Sequence, residues 1–202
     1  MEYVATARHL HMSSYYLQPG MQEGCSELFR KAKEMGLTTS LDPDSDPSGR
    51  WDNSIFEVLH HIDVFLPNET EALKITGCND AESALDILSQ RVETVVIKLG
   101  DRGALTQNRE NIIATDVFHI EVVDTTGAGD SFNAGFIYKF LNGAEIEECL
   151  IWGNTCGAIS TTKLGGTAAF PTLPQIRDFL GKRGDEVKDM LSIIKAETRL
   201  IN

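Results

Sequence analysis

The stretch Asp124-Thr125-Thr126-Gly127-Ala128-Gly129-Asp130-Ser131-Phe132-Asn133 falls between a predicted strand and a predicted helix. The helix carries Phe132, Phe136 and Phe140 on one face. Small residues in its first turn leave backbone N–H groups approachable, and these donors form an anion site together with the helix dipole. Asp130 at the helix start is placed to accept a proton from an alcohol while the amides hold a phosphoryl group.

The same stretch lacks the two commonest nucleotide-binding patterns. It contains no G-x-x-x-x-G-K-[ST], and Phe132 occupies the position where G-x-G-x-x-G needs its third glycine. From the residues alone a simpler interpretation stays open, in which Asp130 favours a helix N-terminus and the glycines make a tight turn. The functional alternative is that this stretch takes part in phosphate chemistry that neither of the two patterns describes.

Strand-like apolar runs alternate with helical patterns outward from this stretch. We predict strands near residues 7–12, 37–41, 62–66, 94–98, 104–107, 112–114 and 117–123. We predict helices near residues 25–35, 53–59, 68–75, 80–90, 128–141, 145–162, 174–181 and 185–199. The alternation predicts an α/β fold with a mainly parallel central sheet flanked by helices. With no internal linker in sight, we expect residues 1–202 to form a single domain.

Composition excludes several classes of protein. The chain has 202 residues and a formal net charge of −12, and such an acidic surface repels nucleic acid. The apolar runs are far shorter than the roughly 20 residues that cross a bilayer. No signal peptide is visible, so a cytoplasmic location and no membrane partner are expected. The four cysteines lack C-x-x-C or zinc-ligand spacing, which favours core positions in a reducing compartment.

Four ordered motifs resemble those of the PfkB family of carbohydrate kinases, whose type member is ribokinase. The stretch 124–132 resembles the C-terminal signature of that family. Asn68-Glu69-Thr70-Glu71 resembles its N-x-x-E motif, and Lys98-Leu99-Gly100-Asp101-Arg102-Gly103 resembles its nucleotide loop. Residues 163–171 resemble the loop near its C-terminus. The resemblance covers residues 7–180, and residues 181–202 are expected to be a C-terminal helical extension.

The resemblance implies a ribokinase-like three-layer α/β/α fold without the N-terminal strands, lid and most sugar-binding groups of the family. It implies ATP-dependent phosphorylation of a sugar or sugar-like alcohol. Asp130 is then the base, and the amides of Gly127, Ala128 and Gly129 form the anion hole. The residues expected to bind the ATP cofactor and its Mg²⁺ are Asn68, Glu71, Lys98, Gly100, Gly103, Thr126, Asn154 and Gly157. Glu71 is expected to reach Mg²⁺ through water.

The resemblance also implies a monovalent cation site for K⁺ beside the anion hole. Its ligands are expected to be oxygens of Asp124, Thr126, Ser160, Lys163, Gly165 and Ala169. Of these, Ser160, Lys163 and Gly165 are expected to act through their main-chain oxygens. Ala169 has no hydroxyl, so only its main chain can contribute.

Two other classes of function are weighed against the kinase. One is a catalytically idle nucleotide-binding or oligomerisation module derived from such a kinase. The other is a flavodoxin-like or dinucleotide-binding domain, which the failed glycine pattern and Asp130 argue against. The motifs are shared by kinases of several sugars and nucleosides, so they leave the acceptor open. Among macromolecular partners, only a second copy of the chain, as a homodimer, stays open.

Overall fold

The computed structural model describes residues 2–108 and 111–192. Six strands lie side by side in the order in which they follow along the chain. They are β1 (His9–Met12), β2 (Thr38–Leu41), β3 (Val64–Phe65), β4 (Thr94–Lys98), β5 (Ala104–Asn108) and β6 (Asn111–Thr115). The helices are α1 (Pro19–Glu34), α2 (Ile55–Leu59), α3 (Glu69–Thr76), α4 (Ala81–Ser89), α5 (Ala128–Phe140), α6 (Ile146–Ser160), α7 (Leu173–Lys182) and α8 (Gly184–Ser192).

The chain forms two compact units. Unit 1 comprises residues 1–98 and 105–110, and unit 2 comprises residues 99–104 and 111–202. The expectation of one domain over 1–202 stays a prediction. The predicted C-terminal helix is present as α8, while its residues 193–199 lie outside the described residues.

Unit 1 is built from β-α-β connections. Strands β1 to β4 pair in parallel, with Leu10 opposite Thr39 in the first pair and Val64 opposite Thr94 in the last. Helix α1 joins β1 to β2, α2 joins β2 to β3, and α3 with α4 joins β3 to β4. The three central residues of β4 are buried, as expected of a parallel strand covered on both faces.

Two close-packed helices form the centre of unit 2. A Cβ added to Gly135 of α5 would lie 2.6 Å from both the Cys156 sulfur and the Trp152 carbonyl oxygen of α6. A Cβ added to Gly153 of α6 would lie 2.9 Å from the Phe132 ring. Since real Cβ atoms do not approach other atoms so closely, these two glycines set how near the backbones of α5 and α6 come.

One predicted strand, 117–123, is wrong. The chain there forms no strand, and two of its backbone groups bond outside the sheet. The His119 carbonyl accepts a hydrogen bond from the Arg183 side chain at 3.3 Å. The N–H group of Val123 donates to the Thr161 carbonyl at the end of α6, at 2.8 Å. Phe118 packs in a core cluster with Ile151 and Met190, so its apolar character serves helix packing.

In the part of the chain that the structure describes, no helix combines the length and the apolarity needed to cross a membrane.

Candidate active site

Gly127 begins the helix that carries Asp130. It has φ +74°, in the left-handed region, and the N–H of Ser131 donates to its carbonyl at 2.9 Å to open α5. A Cβ at this position would lie 2.6 Å from the Gly166 carbonyl oxygen. Both the backbone angle and the close approach of the 165–166 loop therefore require glycine here.

Asp130 lies in the first turn of α5 with an exposed side chain. Among the described residues its carboxylate has no hydrogen-bond or ion-pair partner, so it is open to an incoming group. The Ala128 N–H donates to the Thr125 carbonyl at 3.1 Å and closes a turn. By helix geometry, the N–H groups of Gly129 and Asp130 have no acceptor within the helix. The first turn thus offers amide donors beside a carboxylate.

Asp124 joins two segments of unit 2. Its Oδ1 accepts a hydrogen bond from the Thr126 N–H at 2.9 Å, and its Oδ2 accepts one from the Gly165 N–H at 2.8 Å. These backbone donors lower the pKa of Asp124, because they favour the ionised carboxylate. The structure therefore brings together two of the predicted cation ligands, Asp124 and Gly165, and the negative charge at this place is that of the Asp124 carboxylate.

The other predicted cation ligands lie in or near the same segments. The Ser160 hydroxyl is buried and donates to the Gly157 carbonyl at 2.7 Å. Ala169 is buried, whereas the Lys163 side chain is exposed. Within residues 2–108 and 111–192, no three His, Cys, Asp or Glu side chains are grouped as metal ligands.

Asn154 and Gly157 occupy tight positions on α6. Asn154 is buried, and its amide nitrogen donates to the Thr115 hydroxyl and to the Asp116 carbonyl, both at 2.9 Å. That amide nitrogen therefore fastens α6 to the end of β6. A Cβ on Gly157 would lie 3.4 Å from the Ala128 carbonyl oxygen, so this glycine lies against the start of α5.

The predicted nucleotide loop makes a short 3₁₀ turn over Gly100–Arg102. Gly100 has φ +67° and Gly103 has φ +84°. A Cβ on Gly103 would overlap the Thr115 carbonyl oxygen at the end of β6. The glycines of this loop therefore permit a turn and a close backbone contact within unit 2.

Asn68 and Glu71 form a capping box at the start of α3 in unit 1. The Glu71 N–H donates to Asn68 Oδ1 at 2.9 Å, and the Asn68 N–H donates to Glu71 Oε2 at 2.7 Å. The Asn68 side-chain amide also donates to Glu71 Oε1 at 2.6 Å. This box satisfies N–H groups that the helix start leaves without partners. Glu71 itself is buried.

The pKa of Glu71 is raised to about 7, chiefly by burial and with smaller contributions from the nearby charges of Asp42 and Asp44. The Asn68 N–H and the charge of Lys98 act in the opposite direction. Lys98, in turn, donates to Asp42 Oδ2 at 2.7 Å in a largely buried ion pair. Unit 1 therefore gathers three carboxyl groups and one ammonium group.

Sequence reasoning missed Asp42 as part of this group. Asp42 directly follows β2, just as Asn68 closely follows β3 and Lys98 ends β4. This shared position after neighbouring strands is the signal that could have identified Asp42. The carboxyl ends of parallel strands meet at one edge of a sheet, which is where α/β proteins bind ligands. An isolated parallel bridge between Asn68 and Lys98 confirms that the ends of β3 and β4 meet.

Comparisons with known proteins identify the family and the fold. The family model described as pfkB family carbohydrate kinase matches residues 1–173. A ribokinase of Haemophilus influenzae is 36% identical over 130 residues, which is 61% of this chain and 42% of the relative. A fructokinase of Vibrio cholerae, solved with fructose, ADP and calcium ion, has TM-score 0.76 and 28% identity. That match covers 85% of this chain and 60% of the fructokinase.

The structure of Arabidopsis thaliana ribokinase complexed with ribose and ATP has TM-score 0.77 and 25% identity. The match covers 89% of this chain and 57% of the ribokinase. The predicted ribokinase-like α/β fold is confirmed. This chain spans about two fifths to three fifths of the length of these three relatives. Because the family model matches most of the chain, this chain belongs to the PfkB family of carbohydrate kinases.

Proposed function

We propose that this chain carries the catalytic groups for ATP-dependent phosphorylation of a hydroxyl on a sugar or sugar-like alcohol. The observation that carries the proposal is the first turn of α5, where a left-handed Gly127 presents an exposed, unpaired Asp130 beside helix-terminal amides. Phosphoryl transfer needs mainly positioning and charge stabilisation, which this turn is built to supply.

In the proposed reaction Asp130 acts as general base. Its carboxylate takes the proton of the acceptor hydroxyl as that oxygen forms a bond to the γ-phosphorus of ATP. The bond between the γ-phosphorus and the bridging oxygen breaks, and ADP leaves with the electron pair. An exposed carboxylate with no competing partner is free to make the hydrogen bond that this transfer requires.

The amides at the start of α5 are proposed to stabilise the negative charge on the transferring group. Gly127, Ala128 and Gly129 belong to this proposed anion hole. The Ala128 N–H already donates to the Thr125 carbonyl, so most of the stabilisation falls to its neighbours. Fixed N–H donors of this kind are effective because they need no reorganisation when the charge develops.

The residues proposed to bind the nucleotide are Asn68, Glu71, Lys98, Gly100, Gly103, Thr126, Asn154 and Gly157. Glu71 supplies a carboxylate oxygen of the kind that Mg²⁺ prefers, and it is proposed to reach Mg²⁺ through water. When bound, Mg²⁺ neutralises charge on the phosphates.

A monovalent cation such as K⁺ is proposed to bind beside the anion hole. Asp124 supplies the charge, and each of its oxygens keeps acceptor capacity beyond the one N–H that it already binds. Oxygens of Thr126, Ser160, Lys163, Gly165 and Ala169 complete the proposed ligand set. Removing K⁺ from the assay buffer tests this site separately from the base.

The function is tested by ADP release from MgATP with a panel of sugars and nucleosides. We expect at least one acceptor to stimulate ADP release. The matched variants are Asp130→Asn, which removes the proposed base, and Glu121→Gln, which removes an exposed carboxylate elsewhere in unit 2. Loss of stimulation only in Asp130→Asn supports the proposal. Equal rates in both variants contradict the role of Asp130.

A nucleotide-binding module without transfer activity is the second candidate. It requires only the residues proposed above to bind the nucleotide. This candidate predicts binding of MgATP, measured by calorimetry, with no acceptor-stimulated ADP release.

A further inference from the structure

Asp42 has no role in the proposed function, although it pairs with Lys98, which has one. The Lys98 ammonium lies 2.7 Å from Asp42 Oδ2, and the two side chains are 13% and 10% exposed. Asp42 directly follows β2 and Lys98 ends β4, so the pair joins the ends of two strands across the end of β3. Because the pair is largely shielded from solvent, salt screens its charges less than those of a surface pair.

The backbone holds both partners of this ion pair in place. The Asp42 N–H donates to the Met12 carbonyl at 2.9 Å, and the Lys98 N–H donates to the Pro67 carbonyl at 2.9 Å. In addition, Asp42 Oδ1 accepts a hydrogen bond from the Asp44 N–H at 3.1 Å. The charges of Asp42 and Lys98 are therefore fixed features of the carboxyl edge of the parallel strands.

Two further carboxyl groups belong to the same cluster. Asp44 Oδ2 accepts a hydrogen bond from the Ser14 hydroxyl at 2.9 Å, which fixes this carboxylate on the loop after β2. Glu71 is buried, and Asp42 and Asp44 lie close enough for their charges to act on it. Because Asp42 neutralises Lys98, the cluster of three carboxyl groups and one ammonium group has a net negative charge when Glu71 is ionised.

We infer that Asp42 is a specificity-determining residue, whose charge makes this cluster select the magnesium complex of ATP over free ATP. The inference rests on the proposed function, in which Lys98 and Glu71 belong to the nucleotide-binding residues. Free ATP carries about four negative charges and its magnesium complex about two, so a negative cluster repels free ATP more strongly. Lys98 without Asp42 would attract free ATP, and Asp42 cancels that attraction through its charge, without touching the nucleotide.

A purely structural role for the ion pair predicts a different result. If the pair only joins β2 to β4, breaking it lowers stability, because one largely buried charge loses its partner. Lower stability weakens the binding of free ATP and of MgATP by the same factor. The ratio of the two dissociation constants, taken within one variant, therefore separates selection by charge from support of the fold.

The two dissociation constants are measured by calorimetry at pH 8 and low salt, with MgATP and with ATP in excess EDTA. We expect the unaltered chain to bind MgATP more tightly than free ATP. Asp42→Asn is expected to reduce this preference about 5-fold, because the cluster loses one negative charge. Lys98→Met is expected to increase the preference by a similar factor. The double variant has the net charge of the unaltered chain, and we expect it to restore the original preference.

Asp63→Asn is the matched control. Asp63 also pairs with a lysine, Lys33, but it precedes β3 and therefore lies at the opposite edge of the strands. We expect this substitution to leave the preference for MgATP unchanged. Asp44→Asn removes a carboxylate of the same cluster without breaking the ion pair, and it is expected to reduce the preference as Asp42→Asn does. The test therefore stands even if thermal unfolding shows that Asp42→Asn does not fold.

ADP release separates this inference from the proposed function. Acceptor-stimulated release with the same preference for MgATP in every variant overturns the inference and leaves the kinase proposal standing. Equal reductions in Asp42→Asn and Asp63→Asn also overturn the inference, because the place of the charge would then not matter. The expected changes in preference without ADP release for any acceptor support the inference and overturn the kinase proposal. No binding of MgATP to the unaltered chain overturns both.

Discussion

Gly127 is the residue whose identity the start of α5 depends on most. We expect Gly127→Ala to lower the free energy of unfolding by roughly 2–4 kcal/mol, because a side chain is disfavoured at φ +74° and would meet the Gly166 carbonyl. Urea denaturation measures the change. Gly181→Ala is the matched control, since nothing lies within 4 Å of a Cβ there. Equal effects of the two substitutions would contradict the described turn.

His9 gives a second prediction at the level of single residues. Its pKa is lowered from 6.5 to about 4, chiefly by burial and with a smaller contribution from the charge of His11. Between these pH values the unfolded chain binds more protons than the folded one, so stability falls as pH drops from 6.5 towards 4. Since His9 is only partly buried, we expect this contribution to be about 1 kcal/mol.

The measurement is the urea midpoint at pH 7 and pH 4.5. His9→Gln is expected to lose less stability over this interval than the unaltered chain, and His60→Gln, at an exposed position, is expected to follow the unaltered chain. If the stability of His9→Gln depended on pH more steeply than that of the unaltered chain, this would contradict a His9 that stays neutral in the folded state.

Individual side chains differ in how well the sequence predicts them. The Asn68 cap was predictable, because an N-cap residue and an acid three positions later form a local pattern. The Lys98–Asp42 ion pair was not predictable, since it joins residues 56 positions apart. The burial of Glu71 was not predictable either, because it depends on tertiary packing. The hydrogen bonds from the Asn154 amide nitrogen to Thr115 and Asp116 were not predictable either, since these residues lie 39 and 38 positions away.

The helix pair α5 and α6 carries the prediction that belongs to whole elements. Gly135→Ala is expected to destabilise the protein by about 1–3 kcal/mol, because the new methyl group would press on the Trp152 carbonyl, which cannot move alone. Gly24→Ala in α1 makes the same change where nothing lies within 4 Å. We expect that control to stabilise by about 0.5–1 kcal/mol, through helix propensity. Thermal unfolding compares the two, and similar shifts would contradict close α5–α6 packing.

Element types were predictable where a periodic pattern coincided with a clear stop. Strand β4 is a β-branched run, and α3 is bounded by an N-cap residue and by Gly77 in the left-handed conformation. The segment 117–123 has equally strand-like residues but no neighbouring strand to pair with. Its backbone bonds to Thr161 instead, a contact that local periodicity does not encode.

At the level of the whole molecule, family membership and activity rest on different observations. The family model spans residues 1–173, and the fold matches solved ribokinase and fructokinase structures. The proposed activity rests on the first turn of α5 with its exposed Asp130, and it is therefore tested by substitution of that residue in the full chain.

The most direct test of the account is the stoichiometry of phosphoryl transfer. The chain is incubated with MgATP and each acceptor, and ADP and phosphorylated acceptor are quantified together by ³¹P NMR. We predict equal amounts of both products, with a rate in Asp130→Asn lower by about 10²–10⁴-fold, the usual contribution of a general base. ADP accompanied by free phosphate rather than a phosphorylated acceptor, or an undiminished rate in Asp130→Asn, would contradict the account.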